Sequence, residues 1–184
     1  MAQASGFSFS RFKEELRGVA RGNQFRIDLS LPQQIRQFVP DALAAEESIS
    51  FKAKSASIPA LDLNTITIPF RGRSCKIAGD RELQPWTASI YLTDGFPERK
   101  FFETWQDSIL GVRDASRNPN ADLDYTADAQ IHQLDQNGNE RATYTFEGIW
   151  PQSIGEVSLD WENGELLTFD CTFEINGLST TGIR

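Results

Sequence analysis

Two Asn-Gly dipeptides in the last third of this 184-residue chain, at 137–138 and at 163–164, each lie between segments of alternating apolar and polar residues. Tight two-residue hairpin turns need positive φ at their central positions, and Asn-Gly meets that need at the least steric cost. The pairs therefore predict one hairpin joining 127–134 to 141–149 and a second joining 155–161 to 166–175. In the last segment Leu167, Phe169, Cys171, Phe173 and Ile175 alternate with Thr168, Asp170, Thr172 and Glu174. Such a period of two buries one face of a strand and leaves the other to water or a partner. Two hairpins of this kind commit the chain to antiparallel β structure.

The same period recurs upstream. Residues 24–30 alternate through Phe25, Ile27 and Leu29, residues 48–55 through Ile49, Phe51 and Ala53, and residues 86–92 through Trp86, Ala88, Ile90 and Leu92. Residues 62–70 are rich in β-branched side chains and run through a basic turn, Arg71-Gly72-Arg73, into 74–78, which predicts a long hairpin. Ala78-Gly79-Asp80-Arg81 reads as a turn in which Asp80 and Arg81 are free to pair. The period changes at 97–110, where Phe101, Phe102, Trp105 and Ile109 form one apolar stripe of a helix bounded by Pro97 and Gly111. A short amphipathic helix is expected near the N-terminus from Phe9, Phe12, Leu16 and Val19, with Ser8 or Ser10 as its cap and Gly22 as its stop. It is too small to fold alone, so it docks on its own domain or on a neighbour.

The expected architecture is mainly β: an antiparallel sandwich or partly open barrel with one flanking α-helix at about 97–110 and a short N-terminal helix. Residues 1–184 form one domain, with 1–22 as an N-terminal arm, 31–47 (Pro32, Pro40) as an excursion between strands, and 112–124 as a polar loop. A domain of this size buries ~70% of its unfolded surface and needs no disulfide or metal.

Charge and reactive residues narrow the function. Net charge is −8, so the overall field repels nucleic acid. The sign is unevenly spread, at +4 over residues 1–81 and −12 over 82–184. Cys75 and Cys171 lie far apart and the single histidine is His132, so zinc ligation is not expected. His132 sits in a strand pattern with no nucleophile elbow in the chain, and reads as an ordinary strand residue. Asp114, Asp122, Asp124, Asp128 and the stretch 135–140 lack the spacing and flanking helices of a calcium loop. The many carboxylates of the second half make some close pair inevitable, so a hydrolytic pair carries little weight. Trp86, Trp105, Trp150 and Trp161 read as packing residues. No cofactor is expected, and no enzyme. No apolar run reaches the ~18 residues that span a bilayer, and the polar N-terminus lacks a signal-peptide core, so synthesis and assembly in the cytoplasm, with release by lysis, are expected.

Two blocks carry a resemblance. Residues 76–111, KIAGDRELQPWTASIYLTDGFPERKFFETWQDSILG, and 147–175, EGIWPQSIGEVSLDWENGELLTFDCTFEI, together resemble the tail tube proteins of contractile-tailed bacteriophages. The shared order is AGDR, a tryptophan-bearing strand, a helix with F-x-x-W, then GIWPxxIGEVxLDW, a turn, and TFDCT. The resemblance implies a structural subunit of the virion whose sheets join those of five neighbours into a hexameric ring. Such rings stack into a self-assembled tube with a β-barrel lumen for genome ejection. It implies as partners the tail sheath, baseplate, tape-measure and tail terminator proteins, with DNA only in transit and no membrane anchoring. Pyocin-like and type VI secretion tubes are the nearest alternatives, and a monomeric β-barrel that binds a ligand or carbohydrate is a more distant one.

An acidic surface suits a conduit through which DNA slides without sticking. If the basic and acidic halves face opposite ends of a ring, head-to-tail stacking gains complementary contacts. The exposed basic tip Phe70, Arg71, Gly72, Arg73 and Ser74 is expected to reach an adjacent subunit or ring.

Overall fold

The computed structural model describes residues 8–16, 19–31, 36, 42–110, 125–162 and 164–182. The expected loop 112–124, the calcium-loop candidates Asp114, Asp122 and Asp124, Asn163, and residues 32–35 and 37–41 of the excursion 31–47 lie outside them. The described chain runs α1 (Phe9–Glu15), β1 (Phe25–Ser30), α2 (Ala42–Lys52), β2 (Ala53–Ala56), β3 (Leu61–Phe70), β4 (Arg73–Leu83), β5 (Trp86–Tyr91), α3 (Pro97–Ile109), β6 (Ala127–Leu134), β7 (Glu140–Ile154), β8 (Thr168–Glu174) and β9 (Gly177–Thr181). No helix among the described residues is long and apolar enough to cross a membrane.

One antiparallel sheet has the order β1-β6-β7-β8-β5-β2, with β9 also paired to β7, and β3 and β4 form a separate two-stranded sheet. β7 makes the fold. Its first part pairs with β6 and β9, and its last part, from Trp150 to Ile154, pairs with β8. The corner lies at Gly148, where the register with β6 shifts and φ is +63°. Asp128 accepts from the Gly148 N–H at 3.1 Å, and a Cβ at Gly148 would come within 2.7 Å of the Asn176 side chain. The GIWP block is therefore a bulged corner at which only glycine fits without strain.

The corner turns the two halves of the sheet toward each other. Trp86 of β5 lies between Phe146 of β7 and Phe173 of β8, with ring centroids 4.8 and 4.9 Å away. α3 covers this layer with Phe102 and Trp105, whose rings meet Phe169 and Phe173 at centroid distances of 5.7 to 6.3 Å, and with Phe101, which packs edge-on against Phe102 and Trp105. Burying each of these large side chains contributes roughly 1.5–3 kcal/mol. This is the expected sandwich-like, partly open β fold with α3 as its flanking helix, to which α2 adds a second. β1, β5, β6 and β8 follow their predicted patterns, and Ser8 caps α1 by accepting from the Arg11 N–H at 3.2 Å.

Four local expectations are corrected. Residues 48–52 are helical, not extended, because ALAAEES is a strong helix-forming run and its stripe of Ala45 and Ile49 packs inward while Phe51 is 89% exposed. Glu46, buried on the same helix, accepts from the Leu31 N–H and pairs with Arg36 at 3.0 Å, which ties the excursion back to β1. Ala78-Gly79-Asp80-Arg81 is no turn but a bulge inside β4, with Gly79 and Asp80 opposite Asn64. Adjacent strand residues point to opposite faces, so Asp80 and Arg81 are not placed to pair. The Asn137-Gly138 turn is not type I′: positive φ occurs only at Gly138, and Asp135 closes a three-residue loop by accepting from the N–H groups of Asn139 and Asn137. These bonds hold the Asp135 carboxyl at about 2, and Arg141 adds to them. Finally, residues 155–161 form no strand, and β9 pairs with β7 instead.

A buried carboxylate locks α2 to α3. Glu98, in the first turn of α3, meets Lys52 of α2 and accepts from the hydroxyl and N–H of Thr93 at 2.6 and 3.1 Å. Burial alone would raise its carboxyl; the bonds from Lys52 and Thr93 outweigh that and bring it down to about 2. With the folded value below the unfolded one, the stabilisation is present above about pH 4.5 and is lost as pH falls toward 2. We expect the unfolding free energy to fall between pH 5 and pH 2 in the wild type, by a few kcal/mol from Glu98 with Asp135 adding its own share, and the Glu98→Gln variant to lose the Glu98 part of that dependence. An unchanged pH profile in the variant would contradict the assignment.

Candidate assembly interface

β3 and β4 form a hairpin that stands away from the body. None of its residues belongs to the buried core, and almost every position on both strands is exposed. The tip is a two-residue turn at Arg71 and Gly72, with φ of +45° and +79°, so the type I′ geometry expected at Asn-Gly is found here. Of the predicted interface residues, Phe70 closes β3, Arg71 and Gly72 make the turn, Arg73 opens β4 opposite Phe70, and Ser74 faces Pro69. They sit together at the far end of the arm. The Arg71 guanidinium lies over the Phe70 ring at 5.6 Å.

Register shows what the tip residues alone did not reveal. Ile66 faces Ile77, Ile68 faces Cys75 and Phe70 faces Arg73, and alternate residues share a face. One face of the distal hairpin is thus Ile66, Ile68, Phe70, Cys75 and Ile77, edged by Arg73, while Thr65, Thr67, Ser74 and Lys76 line the other. The apolar side chains are about half exposed, from Ile77 at 44% to Phe70 at 67%. A two-stranded ribbon with an uncovered apolar face is marginal on its own, and such patches mark protein contacts. The signal for it was an isoleucine alternation beside a basic tip.

A second exposed region joins β7 to β8. Between Ile154 and Thr168, the described residues 155–162 and 164–167 form no helix or strand. The start of the region is anchored where Gly155 donates to the Asp170 carbonyl at 2.7 Å and Arg99 donates to the Gly155 carbonyl at 2.6 Å. Leu159 and Leu166 are largely exposed and Trp161 is wholly so, which corrects its reading as a packing residue. Trp150 is half-buried against Tyr125, and Trp86 and Trp105 are in the core. Phe9, Phe12, Leu16 and Val19 of the N-terminal arm are likewise exposed.

His132 has a different role. It is buried on the outer face of β6, with Nε2 3.2 Å from Asp28, Nδ1 3.0 Å from the Thr143 hydroxyl and 3.4 Å from Glu140. Arg26 bridges the same two carboxylates, and its hydrogen bond to Asp28 leads the upward shift of its guanidinium. Cys171 is buried in the core, where burial pushes its thiol up, and it faces no base. The cluster ties β1, β6 and β7 together and holds no activated nucleophile.

Residues 20–177 match the family described as phage tail tube protein. Over 162 residues the chain is 27% identical to the tail tube protein gp19 of Enterobacteria phage T4, covering 85% of this chain and 89% of that one. It is 28% identical over 143 residues to the tail tube protein of Serratia phage KSP90, covering 78% and 77%. The fold is similar to a chain of the sheath-tube complex of an extracellular contractile injection system, PVC, in the extended state, with a TM-score of 0.64 at 16% identity over 97% of this chain and 100% of that one.

Proposed function

The chain belongs to the phage tail tube protein family, so it is a structural virion component and no enzyme, and we propose that it builds the inner tube of a contractile tail as stacked hexameric rings. The uncovered apolar face of the β3–β4 hairpin carries this reading, because a chain that served as a monomer would bury or lack it. In the assembled tube the tip Phe70–Ser74 reaches a neighbouring subunit or ring. Strands whose second face is polar, as in β8 with Thr168, Asp170, Thr172 and Glu174, suit the wall of a water-filled channel, and the net charge of −8 lets DNA pass without adhering. The sheath surrounds the tube, and baseplate and terminator close its ends; a fold shared with a chain of a sheath-tube complex supports such partners.

Light scattering of the purified chain tests this directly. Scattering mass is expected to climb with concentration to particles of many subunits, and a stable monomer at high concentration would overturn the proposal. Complementary charge between stacked copies adds a salt dependence. The Debye length falls from about 10 Å at 0.1 M salt to about 3 Å at 1 M, so mean tube length is expected to shorten across that range. Equal lengths throughout would remove electrostatics from the stacking contact.

A further inference from the structure

Resting on the tube reading and going beyond it, we propose that the hairpin tip of one copy docks on the 155–167 loop of a second copy of this chain. The two halves of the sequence interleave in one sheet, β1 beside β6 and β5 beside β8, so the charge asymmetry does not map onto two faces of the molecule. It is concentrated in two local patches. Residues 66–77 of the hairpin carry Arg71, Arg73 and Lys76 and no acidic residue. Residues 155–167 carry Glu156, Asp160, Glu162 and Glu165 and no basic residue.

The patches also match in apolar character. The tip offers Ile68 and Phe70, and the loop offers Leu159, Trp161 and Leu166 around an open groove of about 790 Å³. Trp161 is accessible over its whole side chain and lies among carboxylates, a setting in which an arginine can stack on the indole while meeting an acid. Tryptophan and arginine are the side chains that most often dominate protein interfaces. Within one copy both patches are exposed, so neither covers the other. Tip-to-tip association would set three cations against three, whereas tip-to-loop association pairs opposite charges. Because donor and acceptor are different surfaces of the same chain, the contact is head-to-tail and propagates into rings or stacks.

Charge reversal with rescue tests the contact. Arg71→Glu with Arg73→Glu, and separately Glu156→Arg with Glu162→Arg, are each expected to lower the polymer fraction in a pelleting assay by about tenfold or more, with circular dichroism unchanged. Mixing the two variants, or combining all four changes in one chain, is expected to restore polymer to within about threefold of wild type. A second readout uses Cys75, exposed on the hairpin, against the buried Cys171. In the Glu162→Cys variant, a short bismaleimide applied to assembled protein is expected to join the Cys75 peptide to the loop peptide, identified by mass spectrometry. If wild-type protein polymerises but charge reversal has no effect, or no hairpin-to-loop link forms, the docking proposal is wrong while the tube reading survives. If wild-type protein does not polymerise at all, the tube reading fails first.

Discussion

Excising residues 62–82 and joining Leu61 to Leu83 through Asn-Gly is expected to leave a chain that folds normally and forms no tubes. Leu61 and Leu83 are cross-strand partners, so their backbones already lie at the spacing that a two-residue turn closes. No core residue lies between them, since the buried set runs from Ile49 directly to Trp86. The melting temperature is therefore expected to stay within about 3 °C of wild type, while electron microscopy finds no rings or tubes. What is lost is the apolar face of Ile66, Ile68, Phe70 and Ile77, which stabilises nothing in the isolated chain. Tubes of normal appearance from the shortened chain would show that the arm is ornamental to assembly. A collapse of the melting transition would show instead that it props up the body.

The opposite separation is expected at Trp105, where folding and not assembly is at stake. Trp105 is completely buried on α3, its Nε1 donates to the Tyr125 carbonyl at 2.9 Å, and its ring lies 6.5 Å from Phe101 and 6.3 Å from Phe173. Trp105→Ala removes the ring that seals α3 onto β8 and leaves the part-buried Tyr125 carbonyl without its donor. Large-to-small changes of this kind cost about 3–5 kcal/mol, which in a domain of this length lowers the melting point by about 10 °C or more. A loss below about 1 kcal/mol in urea titration would mean that the helix is not the lid of this core.

Much of this was legible from side-chain periods. Trp86, Ala88 and Ile90 alternate because β5 has one face on the core, and Phe101, Phe102 and Trp105 cluster because α3 lies on the same layer. Those segments are buried on one side only, and a single buried face is what a period reports. Where the reading failed, a second factor decided. Ile49, Phe51 and Ala53 alternate like a strand, yet the preceding alanines and glutamates carry the helix through Lys52 before extended structure begins. AGDR looked like a turn because it holds a glycine; that glycine instead relieves a close approach, since a Cβ at Gly79 would stand 2.9 Å from the Asn64 carbonyl. Arg71-Gly72, not Asn137-Gly138, makes the type I′ turn.

The candidate interface was legible only at its tip. Arg71-Gly72-Arg73 stands out in the sequence as a basic turn, but the apolar face behind it follows from the pairing of Ile66 with Ile77 and Ile68 with Cys75, which register alone reveals. Aromatic residues usually pack in the core, and Trp161 does not. Its neighbours Asp160 and Glu162 were the contrary signal: a tryptophan between two acids in a glycine-containing loop has no apolar neighbour in sequence to pack on. Exposed apolar groups in an isolated subunit become interior once copies assemble, so a sequence adapted to the assembly reads as though its surface were core.

Cryo-electron microscopy of the purified full-length chain tests the central claim most directly. The predicted image is a hollow tube of stacked rings, six subunits to a ring, with the β3–β4 hairpin of each copy covered by a neighbour. A population of single, unassociated chains at high concentration and low salt, with the hairpin still projecting into solvent, would contradict it.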